Sequence, residues 1–324
     1  MSHRYRHSGL VVDAACPLPM VSDVTSGRAD VTLQLGRSGR VGHERPAGRL
    51  LLEEPDDEDG AGYAATEHAR GYTLRFNGCV DFHIDADLRH VEVVGDPDSD
   101  PGYIPILFSG TVISFLLTMR GHHVLHASAI QLEDRAVAFV GESGQGKTTV
   151  AAMLCCQGAR LVTDDVLRVD LEPAPIVHRG GPELRLRPGS RAFTEGFVLE
   201  ADHYETSDAR MAVRPRVAED VLPLAAVVIP LPVRGLEQVR VRRLAGVPAL
   251  TTLLRYPRVL GWEDDAVLSA HLAAAGRLVE TTSVLVAEIP WGPPFPPGAA
   301  VELLDLLTGQ ISSLASLDRV QQPI

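Results

Sequence analysis

Residues 141–148 read GESGQGKT and fit the pattern GxxxxGK[ST] at every fixed position. The run before them, RAVAFV, has the length and apolar character of a buried strand, and the run after them, TTVAAML, reads as a helix. No other feature constrains the fold as tightly. A strand that enters a helix through a glycine-rich turn curls its backbone until successive N–H groups converge, and that concavity takes an anion. Gly141, Gly144 and Gly146 permit the curl. The helix starting near Thr148 aims its positive N-terminal end at the same point.

Each residue type has a task. The backbone of Gly141, Glu142, Ser143, Gly144, Gln145, Gly146, Lys147, Thr148 and Thr149 is expected to cradle nucleotide phosphates. The ammonium of Lys147 reaches the β- and γ-phosphates as a compact point charge, and the Thr148 hydroxyl serves Mg2+. Lys147 is the sole lysine among the 30 Lys and Arg of the chain. A guanidinium's broad fork fits a curled cradle poorly, so a sequence biased to arginine keeps lysine where the geometry asks for an ammonium. The implied ligands are ATP and Mg2+.

The helix expected from about Thr148 to Gln157 spans roughly 15 Å at 1.5 Å per residue. Gly158 is placed to end it in a left-handed cap. The strand RLVTD then returns about 16 Å at roughly 3.3 Å per residue. The lengths match, so Asp164 and Asp165 come back beside the loop. Successive strand residues face opposite sides, which gives the two carboxylates different work. One faces the phosphates and the metal; the other packs, hydrogen-bonds or reaches a second substrate. A phosphate cradle, a metal holder and a carboxylate that accepts a hydroxyl proton are the set that phosphoryl transfer needs.

Residues 1 to about 100 read as β-rich. VTLQL (31–35) and YTLRF (72–76) alternate apolar and polar side chains, and CVDFHID and HVEVVGD continue the pattern. The acidic run EEPDDEDGAG between them reads as a solvated loop, with cation binding as the alternative. GDPDSDPG (95–102) gathers turn formers and marks a linker. IPILFSGTVISFLLTM (104–119) reads as a buried helix. Farther on, ELRLR (183–187), LAAVVIPL (224–231) and QVRVRRL (238–244) look like strands. AVLSAHLAAAGRLVETT (266–282) and AVELLDLLTGQISSL (300–314) look like helices. The expectation is an α/β protein: a smaller β-rich domain over 1–100, then a P-loop domain over 101–324.

A net charge of −12 argues against a nucleic-acid partner, because phosphate backbones are gripped by surplus Lys and Arg. The most apolar window falls short of the roughly 20 residues a bilayer requires, so no membrane partner is expected. Cys16, Cys79, Cys155 and Cys156 lack zinc or redox spacing, which suits reduced thiols in a cytoplasmic protein. The two adjacent cysteines lie in the helix after the loop and suit packing.

The stretch LHASAI…VAFVGESGQGKTTVAAMLCCQGARLVTDDVLRVD resembles the HPr kinase family, whose P-loop kinases carry a His shortly before the loop and an Asp pair soon after it. The resemblance is specific over residues 122–170 and looser through GGPELRLRPGS and VRVRRLAGVPALTTLLRYPRV. It implies an ATP-dependent serine kinase with a mixed α/β catalytic core related to phosphoenolpyruvate carboxykinase. It further implies Asp164 as general base, Asp165 as its metal-linked neighbour and His126 near the transferred phosphate. Glu183 and Arg185 resemble the family's Glu-x-Arg, implying a metal role for Glu183 and a phosphate role for Arg185. The EIRGLG-type run of true HPr kinase/phosphorylases is only partly present, as ELRLRPG. The chain is therefore more similar to HPr kinase-like proteins of bacterial gene clusters, some of which phosphorylate a serine of a lasso-peptide precursor. The implied partners are ATP, a peptide or protein with an acceptor serine, and, from the family's tendency, a second copy of the chain.

Other side chains admit more than one reading. His122, His123 and His126 invite a metal, but positions 123 and 126 face opposite sides of a strand and no further ligand lies at useful spacing. Arg185 and Arg187 share a strand face, and Arg210, Arg214 and Arg216 form a second cluster; either clamps an anion or pairs within an acidic protein. PWGPPFPPG (290–298) is a stiff connection, or its aromatics wall a nucleotide base. Kinases acting on a small molecule such as free serine, and ATP-binding regulators without transfer, share the same loop.

Overall fold

The computed structural model describes residues 3–56, 62–190, 203–292 and 294–320, with side chains described as far as residue 311. Residues 57–61 of the acidic run and Pro293 of the proline-rich run lie outside the described residues. The protein is mixed α/β, with large sheets.

The first sheet has nine strands: β1 (His3–His7), β2 (Leu10–Ala14), β3 (Val21–Ser22), β4 (Val31–Leu35), β5 (Arg49–Glu54), β6 (Tyr63–His68), β7 (Gly71–Phe76), β8 (Val80–Asp85) and β9 (His90–Gly95). Their order is β3-β1-β2-β4-β9-β8-β7-β6-β5. Period-2 alternation puts Leu33, Leu74, Phe82 and Val91 on the buried face. The expected helix over 104–119 follows as three consecutive pieces: α1 (Tyr103–Leu107), a π-helical turn (Phe108–Val112) and α2 (Ile113–Met119). Phe108, Val112, Ile113, Phe115, Leu116 and Leu117 are buried against the first sheet, with Phe115 stacked on Trp262 at 5.8 Å.

The second sheet has seven strands: β10 (His123–Leu132), β11 (Arg135–Val140), β12 (Arg160–Asp170), β13 (Ile176–His178), β17 (Val221–Val233), β18 (Arg240–Leu244) and β19 (Ser283–Pro290). The order is β11-β10-β12-β13-β17-β19-β18, and β11 also pairs with β17 in parallel, so the first five strands close on themselves. Strands covered on both faces read as continuous apolar runs, as β10 and β17 do. The remaining strands, β14 (Leu184–Leu186), β15 (His203–Glu205) and β16 (Met211–Val213), form a small sheet ordered β14-β16-β15.

Helix α3 (Lys147–Cys155) follows the loop, and α4 (Gly246–Leu253), α5 (Asp265–Thr281) and α6 (Ala299–Val320) complete the chain. Val150, Ala151 and Leu154 of α3 pack with Phe139, Val228, Leu285 and Leu303 in one core that seats the loop's helix. Leu154 is fully buried there, and truncating such a leucine to alanine costs about 2–5 kcal/mol. No helix of the described residues is long and apolar enough to cross a membrane.

Candidate active site

The loop is held open by its own chain. Gly144 (φ +81°) and Gly146 (φ +95°) sit in the left-handed region that favours glycine. A Cβ on Gly141 would stand 2.5 Å from Gln145 Oε1, the atom that accepts the Glu142 N–H at 2.7 Å. Gln145 thus braces the turn from inside. Lys147 donates to the carbonyls of Gly141 at 2.8 Å and Glu142 at 3.1 Å. Burial pushes its ammonium down to about 8, opposed by the charges of Asp164 and Asp165.

Gly158 (φ +100°) ends the α3 segment, and β12 runs back antiparallel to β10 with Asp164 opposite Ser128 and Asp165 opposite Ala127. The two carboxylates meet different surroundings. Asp164 Oδ1 accepts from the Ser128 hydroxyl at 2.6 Å and Oδ2 from the Arg185 N–H at 2.8 Å. Burial raises its pKa to about 6, although Ser128, the Arg185 N–H and Thr148 donate to it. Burial acts on Asp165 in the same direction, but there the Arg258 guanidinium and His126 outweigh it and hold the carboxyl well below its usual range. Arg258 Nη2 lies 2.7 Å from Asp165 Oδ2, and His126 Nδ1 lies 3.2 Å from Oδ1.

These groups line one cavity of about 400 Å3. Its polar lining includes His126, Ser128, Ser143, Gly144, Gly146, Lys147, Thr148, Thr149, Asp164, Asp165, Arg185, Arg187 and Arg210. Asp208 holds both Arg185 and Arg210 at 3.3 Å, and Arg187 donates to the Ser143 hydroxyl at 2.7 Å. Pro232, Ile289, Trp291 and Phe295 line it as well. Trp291 is 55% exposed, with the Arg234 guanidinium 4.7 Å from its ring centroid. A lining that combines cationic and hydroxyl groups with aromatic rings suits a nucleoside triphosphate.

The structure places the remaining candidates elsewhere. Glu142 turns outward to pair with Arg255. Glu183 accepts from Tyr204 at 2.9 Å and from Arg214 at 2.6 Å, and it lines a second, smaller pocket. Arg214 is thereby engaged away from the loop cavity. His123 packs edge-on against His271 at 6.2 Å, on the other side of β10 from His126. Cys155 is the buried last residue of α3, and burial pushes its thiol up to about 12; all four cysteines are free.

Two neighbours of the Asp pair escaped sequence reasoning. Ser128 carried a signal, since it follows His126 by two residues on a strand and shares its face. Arg258 falls in the stretch of looser resemblance, but no local pattern ties it to Asp165, 93 residues away. Thr148, Asp164 and Asp165 offer the hard oxygens that would hold Mg2+, with both Asp165 oxygens engaged by Arg258 and His126. Magnesium commonly binds this way, through one or two carboxylates plus substrate phosphates.

No family model matches the chain, and no curated protein does. Among solved structures, 53 chains match. One is the Hpr(Ser) kinase/phosphatase from Coxiella burnetii, 13% identical, with 59% of this chain and 98% of that chain covered at a TM-score of 0.32. A likeness at that score carries no weight for the site.

Proposed function

We propose that the protein is an ATP-dependent kinase that transfers the γ-phosphoryl group to a serine hydroxyl of a peptide or protein. The observation that carries this reading is a buried carboxyl at about 6, Asp164, in the same cavity as the phosphate loop. A nucleotide binder has no need of a base near neutrality; phosphoryl transfer does.

The loop backbone and Lys147 hold the β- and γ-phosphates, while Trp291 and Phe295 flank the base. Thr148 and the ionised Asp165 would hold Mg2+, which would supply charge neutralisation on the phosphates. The acceptor oxygen bonds to the γ-phosphorus as the bond to the β,γ-bridging oxygen breaks. ADP departs, and the hydroxyl proton passes to Asp164. Arg185 and Arg210, fixed by Asp208, and Arg187 spread the charge that moves onto the phosphate oxygens. His126 orients Asp165 from the side opposite Arg258. In this reading residues 101–324 form the catalytic domain and 1–100 a domain serving the acceptor, in a cytoplasmic enzyme with free thiols. A lasso-peptide precursor is one acceptor of the right chemistry.

The test is mass spectrometry after incubation with ATP, Mg2+ and a degenerate peptide library with a fixed central serine, alongside free L-serine. Phosphopeptide formed by the wild type and absent with Lys147→Ala supports the reading. Phosphate on L-serine alone replaces it with a small-molecule kinase. ATP binding with every acceptor unmodified replaces it with a nucleotide-binding regulator.

A further inference from the structure

Asp164 and Asp165 form a wall shared by two pockets. One is the loop cavity. The other, of about 60 Å3, is closed by His7, Pro19, Ile106, Ser109, Glu183 and Tyr204. An acceptor attacking in line enters from the side opposite the leaving group. With the nucleotide in the loop cavity, a second pocket touching the same carboxylates lies where that acceptor belongs.

The β1–β2 hairpin is clamped in position to reach this pocket. Its turn residues, Ser8 (φ 50°) and Gly9 (φ 77°), both take the left-handed backbone of a two-residue hairpin loop. The Ser8 N–H donates to the Arg179 carbonyl at 2.8 Å, and Arg168 donates to the Ser8 carbonyl at 3.3 Å. A Cβ on Gly9 would stand 2.8 Å from side-chain nitrogens of both Arg168 and His178, so the tip has no room to retreat.

His7, the residue before the turn, is 2% exposed, and its Nδ1 has no hydrogen-bond partner among the described residues. A buried polar atom left unpaired is costly, which marks it as a group that awaits a partner. Burial pushes its imidazole down to about 4 against the pull of the Asp165 charge, so it stays neutral and offers one donor and one acceptor.

We propose that the β1–β2 hairpin completes the acceptor side of the active site, with His7 hydrogen-bonding the hydroxyl-bearing group that faces Asp164. This rests on the phosphoryl-transfer reading and gives the N-terminal sheet a part in it. The pocket is small, about 60 Å3 against about 400 Å3 for the loop cavity, and suits a hydroxymethyl group on a slender carrier. The shared acceptor chemistry is a primary alcohol, carried by an extended peptide or by an amino-acid-sized molecule.

The experiment compares full-length wild type with His7→Ala and Ser109→Leu, the second variant placing a larger side chain in the pocket lining. Two quantities are read: Mg-ATP affinity by calorimetry, and acceptor KM with the fixed-serine library and with L-serine. Loss of a hydrogen bond in the first variant and loss of space in the second each raise acceptor KM about tenfold while ATP affinity stays within about twofold. The probe that is phosphorylated identifies the carrier. Acceptor KM within about twofold of wild type in both variants, or ATP affinity falling in parallel with it, overturns the proposal. A wild type that transfers phosphate to neither probe removes the transfer reading and this inference together, an outcome distinct because it needs no variant.

Discussion

Asp164 and Asp165 are adjacent on β12, yet burial raises the pKa of the first to about 6 while the second is held well below its usual range. Asp164 accepts from the Ser128 hydroxyl, the Arg185 N–H and Thr148, and burial outweighs these donors and the Arg185 charge. Asp165 is gripped between Arg258 and His126. One strand therefore delivers two carboxylates with opposite shifts to one cavity, as environments can set between paired carboxylates.

The first consequence concerns rate against pH. With its folded pKa raised to about 6, Asp164 is protonated below that pH and cannot accept the hydroxyl proton. Acceptor kcat/KM rises with pH through about 6 and then levels, and the limb disappears from whatever residual rate Asp164→Asn retains. A pH-rate profile of the two proteins checks this.

The second concerns stability. The Asp164 carboxyl binds its proton more tightly in the folded chain than at its ordinary value of 3.8. Its favourable contribution is full below that value and is lost as pH rises through about 6. The shift to about 6 corresponds to roughly 3 kcal/mol at pH 8, at 1.36 kcal/mol per unit. Asparagine keeps two of the three partners, its oxygen facing the Arg185 N–H and its amide facing a rotated Ser128 hydroxyl, while the Thr148 hydroxyl loses its acceptor. Denaturant unfolding at pH 8 is expected to find Asp164→Asn more stable by about 1–3 kcal/mol and less pH-dependent between about pH 4 and 6.

The third concerns Arg258. Replacing it with methionine strands the buried Asp165 charge and costs about 3–5 kcal/mol, while pairing it with Asp165→Asn recovers most of that loss. Thermal melts of the two single variants and the double variant measure the coupling. Additive effects would mean the ion pair is not what holds the connection after α4 against β10.

The fourth concerns the aromatic lining of the cavity. The chain has 2 tryptophans: Trp262 is 8% exposed and Trp291 55% exposed. Nucleotide binding is expected to quench the fluorescence of Trp291 alone, so Trp291→Phe abolishes the signal. Trp291→Ala weakens ATP binding about tenfold, the scale of a lost stacking contact.

Much of this was legible from pattern. The loop, its flanking strand and helix, and the cap at Gly158 were set by local chemistry, and matching helix and strand lengths brought the Asp pair back. Strands β4, β7, β8 and β9 showed their period because one face is buried. The short strands β3, β13, β15 and β16 were not legible, since two or three residues carry too little period to separate strand from loop. The closure of β11 on β17 and the ion pair of Arg258 join segments far apart in sequence. No local propensity encodes either. His7 is the sharpest case, because nothing in HRYRHSGL says that its turn docks beside a strand some 150 residues later.

The most direct measurement is Mg-ATP affinity and phosphate transfer, taken together, for the wild type and Asp164→Asn. Near-equal affinity with transfer reduced at least about a hundredfold in the variant is the predicted result. Undiminished transfer by Asp164→Asn would contradict the central claim that this buried carboxyl takes the acceptor's proton.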